Sequence, residues 1–202
     1  MTGMGNALGL LEVRGLASSI TVTDTMMKAA DTLLIDVKKD MGGGLVTIVV
    51  EGNTSAVSAA VQAGAAAAEQ TGEVIAYRIM ANPDSQTRMY LDNSYRGKQI
   101  TFGREACGII EVYGFVCAMT AADAAVKAAD VRLVGMERTK GEEGIGLIVA
   151  LKLAGIPDAV KSAVDAGLLA AREVGDVISS NVNALPSEGI YPMIQYTNLK
   201  SD

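Results

Sequence analysis

The chain has 202 residues, a formal charge of −6, no His, no Trp and two Cys. Without imidazole there is no Ser-His-Asp triad and no His-ligated metal, and two thiols build neither a disulfide framework nor a four-thiolate zinc site. The acidic balance with no basic cluster argues against nucleic acid, and the apolar runs fall short of the ~20 residues of a membrane span.

Ala7 to Val13 is short and apolar and stops before Gly15, which predicts a strand. Thr23 to Ala30 reads as a helix capped by Thr21 or Thr23, followed by a second strand at Leu33 to Val37. The β-branched run Leu45 to Val50 is the clearest strand. Asn53 or Thr54 then caps an Ala-rich helix to about Gln70, with Val57, Ala60, Val61 and Gly64 at helical spacing. Gly72 ends it, and Val74 to Ile79 makes the last strand of the set. Each set thus reads β-α-β-β-α-β, the order of the ferredoxin-like fold, an antiparallel sheet with both helices on one face.

The whole pattern then returns. Gly9-Leu10-Leu11-Glu12-Val13-Arg14-Gly15 reappears 99 positions later as Gly108-Ile109-Ile110-Glu111-Val112-Tyr113-Gly114. Asp24 matches Asp123, and Lys28-Ala29-Ala30-Asp31 matches Lys127-Ala128-Ala129-Asp130. From Gly52 against Gly155 onward the offset is 103, so the second copy carries four extra residues between roughly 139 and 155. The elements of this copy fall at Leu133 to Glu137, Ile145 to Leu153, Asp158 to Val174 and Val177 to Val182. The chain is therefore two homologous domains, 7–92 and 106–196, joined by a polar linker from Asp92 to Glu105. Ala and Gly supply about a quarter of the residues. Such small residues let helices lie close to a sheet or to a neighbouring subunit, and thin domains of this kind gain stability from oligomer contacts.

The Gly9–Gly15 motif, Asp24 with Lys28-Ala29-Ala30, the loop Gly42-Gly43-Gly44-Leu45-Val46, the Gly52 turn and the Ala-rich helix together resemble the bacterial microcompartment shell domain, twice over and in unpermuted order. The resemblance implies a tandem-domain shell protein in the bacterial cytoplasm. Such a protein forms a homotrimer imitating a hexamer, tiles laterally with other shell proteins around encapsulated enzymes, and passes metabolites through a central pore. It is not an enzyme. The pore would be lined by Lys39, Asp40, Met41, Gly42, Gly43 and Gly44 in the first copy. In the second the corresponding residues are Thr139, Lys140, Gly141, Glu142, Glu143, Gly144, Ile145 and Gly146. Glu142 and Glu143 from three chains would ring the axis with carboxylates and disfavour anions. Lys28 and Lys127 fall at the family's edge-contact position, although each also fits a plain i,i+4 pair with Asp24 or Asp123. The family's Pro-Arg-Pro-like tail is replaced by Asn82-Pro83-Asp84 and Leu185-Pro186-Ser187, which alters the expected lateral packing.

One tandem subgroup holds an axial iron–sulfur cluster through a pore-loop Cys. Here that position is Met41, a poor substitute for thiolate, so a cluster is disfavoured and no metal or cofactor is expected. Cys107 and Cys117, ten positions apart at the first strand of the second copy and the loop after it, read as buried structural thiols. Two other readings compete. One is a trimeric ferredoxin-like sensor or signalling protein that binds an anion at the Gly-rich loops. The other is an enzyme using Asp40, Glu142, Glu143 or Tyr113 as acid or base, for which no convergent set of polar residues is visible.

Overall fold

A computed structural model describes residues 6–39, 42–140 and 147–199, which divide into two compact units at Pro83 and Asp84. The first unit runs β1 (Ala7–Arg14), α1 (Leu16–Ala29), β2 (Leu33–Lys38), β3 (Leu45–Gly52), α2 (Thr54–Thr71) and β4 (Glu73–Met80). Its sheet has the order β2-β3-β1-β4, antiparallel throughout, with Leu11 opposite Ile48 on one side and Tyr77 on the other. This is the ferredoxin-like β-α-β-β-α-β arrangement. Leu11, Val13, Ile48, Val50, Val57, Val61, Val22 and Met26 form a buried cluster between sheet and helices. Each such aliphatic side chain contributes roughly 1.5–3 kcal/mol relative to exposure.

Helix α1 begins at Leu16, well before the expected start near Thr23, and no side chain caps it. Gly15 lies at φ 95°, a left-handed conformation that costs glycine little, so the chain turns from β1 straight into the helix. The threonines read as caps lie inside it. Thr23 Oγ1 donates to the Ser19 carbonyl at 2.7 Å and Thr25 Oγ1 to that of Thr21 at 2.9 Å, a back-bonding that absorbs their hydroxyls. Helix α2 starts as expected, with Asn53 Oδ1 accepting from the Ala56 amide at 2.8 Å.

The second unit opens with α3 (Ser85–Leu91), followed by β5 (Ala106–Tyr113), α4 (Phe115–Ala128), β6 (Arg132–Lys140), β7 (Leu147–Gly155), α5 (Pro157–Arg172), β8 (Val177–Asn183), a 3-10 turn (Glu188–Ile190) and α6 (Tyr191–Ile194). Its sheet order, β6-β7-β5-β8, repeats the first. Helix α4 likewise starts directly after a left-handed glycine, Gly114 at φ 83°. Cys117 therefore lies in a helix rather than in a loop, and both Cys107 and Cys117 are buried thiols outside any disulfide, as expected.

The stretch after β4 holds a short helix that hydropathy does not reveal. Asp84 caps α3 by accepting from the Gln86 amide at 2.8 Å, and α3 packs against α4. The Gln86 side chain donates to the Val131 carbonyl at 3.1 Å and accepts from the Leu133 amide at 2.8 Å. Residues further along cover the sheet face opposite α5. Gly108 faces Val160 and Val164 of α5, so its neighbour Cys107 points the other way, where it meets Phe102 and Ile194. Phe102 and Tyr191 meet edge to face, with ring centroids 5.0 Å apart. Lys152, 5% exposed, fixes this layer by donating to Glu137 Oε2 at 2.7 Å and to the carbonyls of Met193 at 2.7 Å and Tyr196 at 3.2 Å. Among the described residues, no helix is long and apolar enough to cross a membrane.

Candidate functional site

The two loops singled out by the repeat connect β2 to β3 and β6 to β7, at the same end of each sheet as the strand-to-helix turns after β1 and β5. In the first unit, Gly42, Gly43 and Gly44 have φ of 93°, 61° and 71°, so the backbone runs left-handed through three consecutive residues. A side chain at any of them would cost of order 1–2 kcal/mol. The Gly44 carbonyl accepts from the Gly15 amide at 2.8 Å, and the Leu45 amide donates to the Gly42 carbonyl at 3.1 Å. Arg14 adds a second tie, with Nη1 donating to the Gly43 carbonyl and Nε to Glu73 Oε2, both at 2.7 Å. Arg14 and Glu73 are about half exposed, so this ion pair contributes little stability, ~0.2–1 kcal/mol. Its geometric effect is larger, because it fixes the loop to the ends of β1 and β4.

Lys39 follows β2 directly, while Lys38 before it is buried and donates to Asp36 Oδ2 at 2.7 Å. Asp40 and Met41 lie outside the described residues. In the second unit Lys140 ends β6, and the Gly114 amide donates to the Leu147 carbonyl at 2.8 Å, the counterpart of the Gly15–Gly44 tie. Gly141, Glu142, Glu143, Gly144, Ile145 and Gly146 lie outside the described residues. The structure thus brings together Gly42–Gly44 with Gly15, Arg14 and Glu73. The last three went unread as loop partners, although Arg14-Gly15 closes the repeated motif and so marks the turn.

Lys28 and Lys127 occupy equivalent last turns of α1 and α4, each donating to the aspartate four residues earlier, at 2.6 Å to Asp24 and 2.5 Å to Asp123. Tyr113 ends β5, with its amide bonded to the Asp176 carbonyl at 3.0 Å.

The BMC domain model matches residues 7–83 and 106–186. The carboxysome assembly protein CcmO of Synechococcus elongatus is 32% identical over 177 residues, covering 85% of this chain and 62% of that protein, so the chain spans about three-fifths of its length. The carboxysome shell protein CsoS1 of Prochlorococcus marinus is 46% identical over 91 residues, 45% of this chain and 87% of the relative. A crystal structure of a microcompartment protein from Desulfitobacterium hafniense superposes with a TM-score of 0.71 at 29% identity, covering 91% of this chain and 97% of the other. One-domain relatives match half of this chain and a crystal structure matches nearly all of it, as a duplicated domain requires. The chain carries two BMC domains in tandem and belongs to the BMC-domain family.

Proposed function

We propose that this chain is a structural protein of a bacterial microcompartment shell, a homotrimer whose six domains imitate a hexamer around a central pore. The observation that carries this reading is the duplication of one BMC domain in unpermuted order, with matching strand order and matching glycine turns in both copies. Relatives named as carboxysome shell and assembly proteins support the shell location and association with other shell components. The loops at 39–44 and 139–146 line the pore. Three left-handed glycines at the first loop suit close approach of backbone to a symmetry axis. Glu142 and Glu143 give the pore an acidic ring that holds back anions and passes neutral or cationic metabolites. The edges carrying Lys28 and Lys127 meet neighbouring disks.

Electron microscopy of the purified full chain tests the reading. Flat sheets or tubes with a hexagonal lattice are expected. Discrete trimers that bind a small anion and never tile point instead to a sensor. Replacing Glu142 and Glu143 by Gln is expected to raise anion flux through assembled shells, and unchanged flux removes the acidic ring.

A further inference from the structure

The two copies expose their first helices differently. In α4 the flank bearing Phe115, Val116, Met119 and Thr120 is buried, each residue being 3% exposed or less. The repeat places Leu16 at the position of Phe115 and Ile20 at that of Met119, and these are 54% and 65% exposed. The same holds for the paired aspartates. Both hold a lysine at i+4, yet the Asp24 side chain is 59% exposed and that of Asp123 only 14%.

Part of the reason lies in α3 and its cap. Helix α3 packs on α4, and the Asp84 amide donates to Asp123 Oδ1 at 2.7 Å. The repeat pairs Pro83-Asp84 with Pro186-Ser187. Both prolines are buried. Ser187, at φ −67° and ψ 144°, precedes the turn Glu188–Ile190 with nearly the backbone that Asp84, at φ −60° and ψ 148°, has before α3. Around Ser187 stand Leu185, Ile190 and Met193, exposed by 62%, 39% and 70%. The segment is held ready, because Lys152 bonds the Met193 carbonyl and Tyr191 packs edge to face with Phe102.

We infer that the outer flank of α1, formed by Leu16, Ile20 and Asp24, is the docking surface for residues 185–193 of a second copy of this chain, with the Ser187 amide donating to Asp24. The inference rests on the homotrimer reading above and names the contact that closes it. Each copy carries one receiving flank in its first unit and one donating segment in its second, so the contact is head to tail, and it closes when the rotation per copy completes a ring. Leu16 and Ile20 supply apolar burial, and the amide-to-carboxylate bond is charge-assisted and sets the register.

The test mixes full chains carrying Asp24→Cys with full chains carrying Ser187→Cys and adds a short bis-maleimide. Cys107 and Cys117 are buried and contribute little background. A cross-linked pair joining one copy of each variant is expected. Ile20→Glu is expected to weaken self-association at least tenfold with an unchanged circular dichroism spectrum, whereas Leu169→Glu, an equally exposed apolar site on α5, leaves it intact. If the wild-type chain assembles, the cross-link fails to form and Ile20→Glu still assembles, the docking surface is wrong while the trimer stands. A wild-type chain that stays monomeric at tens of micromolar overturns both.

Discussion

Gly9 and its repeat Gly108 lie where a helix presses on the central strand, which makes Gly9→Ala a quantitative test of how the domain is packed. A Cβ at Gly9 would lie 2.6 Å from Val61 Cγ2, 2.7 Å from Val57 Cγ1 and 3.1 Å from Val50 Cγ2. Carbon atoms prefer separations of about 3.5–4.0 Å, so α2 must retreat by on the order of 1 Å or its valines must leave their rotamer. In a helix valine has one strongly favoured χ1, so the strain cannot drain into side-chain rotation. Overpacking of this kind costs about 1–3 kcal/mol, and the lower backbone entropy of alanine in the unfolded chain returns about 0.5–1. The net loss expected is about 1–2 kcal/mol. With a urea m-value near 2 kcal/mol/M, the midpoint of the first domain falls by about 0.5–1 M. Val61→Ala alone loses about 2 kcal/mol of burial, but the double variant should lose less than the sum by at least ~0.5 kcal/mol, since the smaller side chain makes room for the new methyl. Gly108→Ala should act alike, its Cβ meeting Val160 Cγ1 and Val164 Cγ2 at 2.7 Å each. An unchanged or raised midpoint for Gly9→Ala, or strictly additive losses in the double variant, refutes the packing argument.

Gly44→Ala meets only Arg14 Cγ at 3.9 Å, so its cost is backbone strain alone, about 1–2 kcal/mol at φ 71°. It should also speed hydrogen exchange at the Gly15 amide, which the Gly44 carbonyl now protects. Lys152→Met removes the donor to two tail carbonyls and leaves Glu137 unpaired by it; a loss of about 1.5–3 kcal/mol and faster chymotryptic cleavage after Tyr196 are expected. Burial pushes the Cys107 thiol from 9.0 up to about 11, with the nearby Lys152 charge opposing. The folded state thus holds that proton more tightly than the unfolded one. The associated stability is whole below pH 9 and is lost as pH rises toward 11, a slope in urea midpoints that Cys107→Ala should flatten.

Most of the architecture was legible because duplication tests itself. A strand or helix read once in residues 7–80 had to recur in residues 106–183, and Leu45 to Val50, Asn53 and Gly72 were placed where they stand. The start of α1 was missed because Thr21 and Thr23 look like caps, while the decisive residue is Gly15, whose left-handed turn leaves no mark in hydropathy. Helix α3 escaped because Ser85–Leu91 is short and polar and owes its place to Asp84, Gln86 and the flank of α4 rather than to its own periodicity. In the loop between β2 and β3 the run of three glycines stands out in the sequence, but the clasp from Arg14 and Glu73 joins residues 59 positions apart and shows only in three dimensions. Lys152 was likewise silent. A lysine in the middle of Leu151-Lys152-Leu153 reads as a solvated strand position, and its real partners are carbonyls from the far end of the chain.

The central claim is that this chain closes into a ring of three. Native mass spectrometry of the purified protein tests it most directly, combined with averaged end-on electron micrographs. The account predicts a particle of three times the 20.9 kDa chain with six similar lobes around a central hole. A monomer, a dimer or an open filament without such a hole contradicts it.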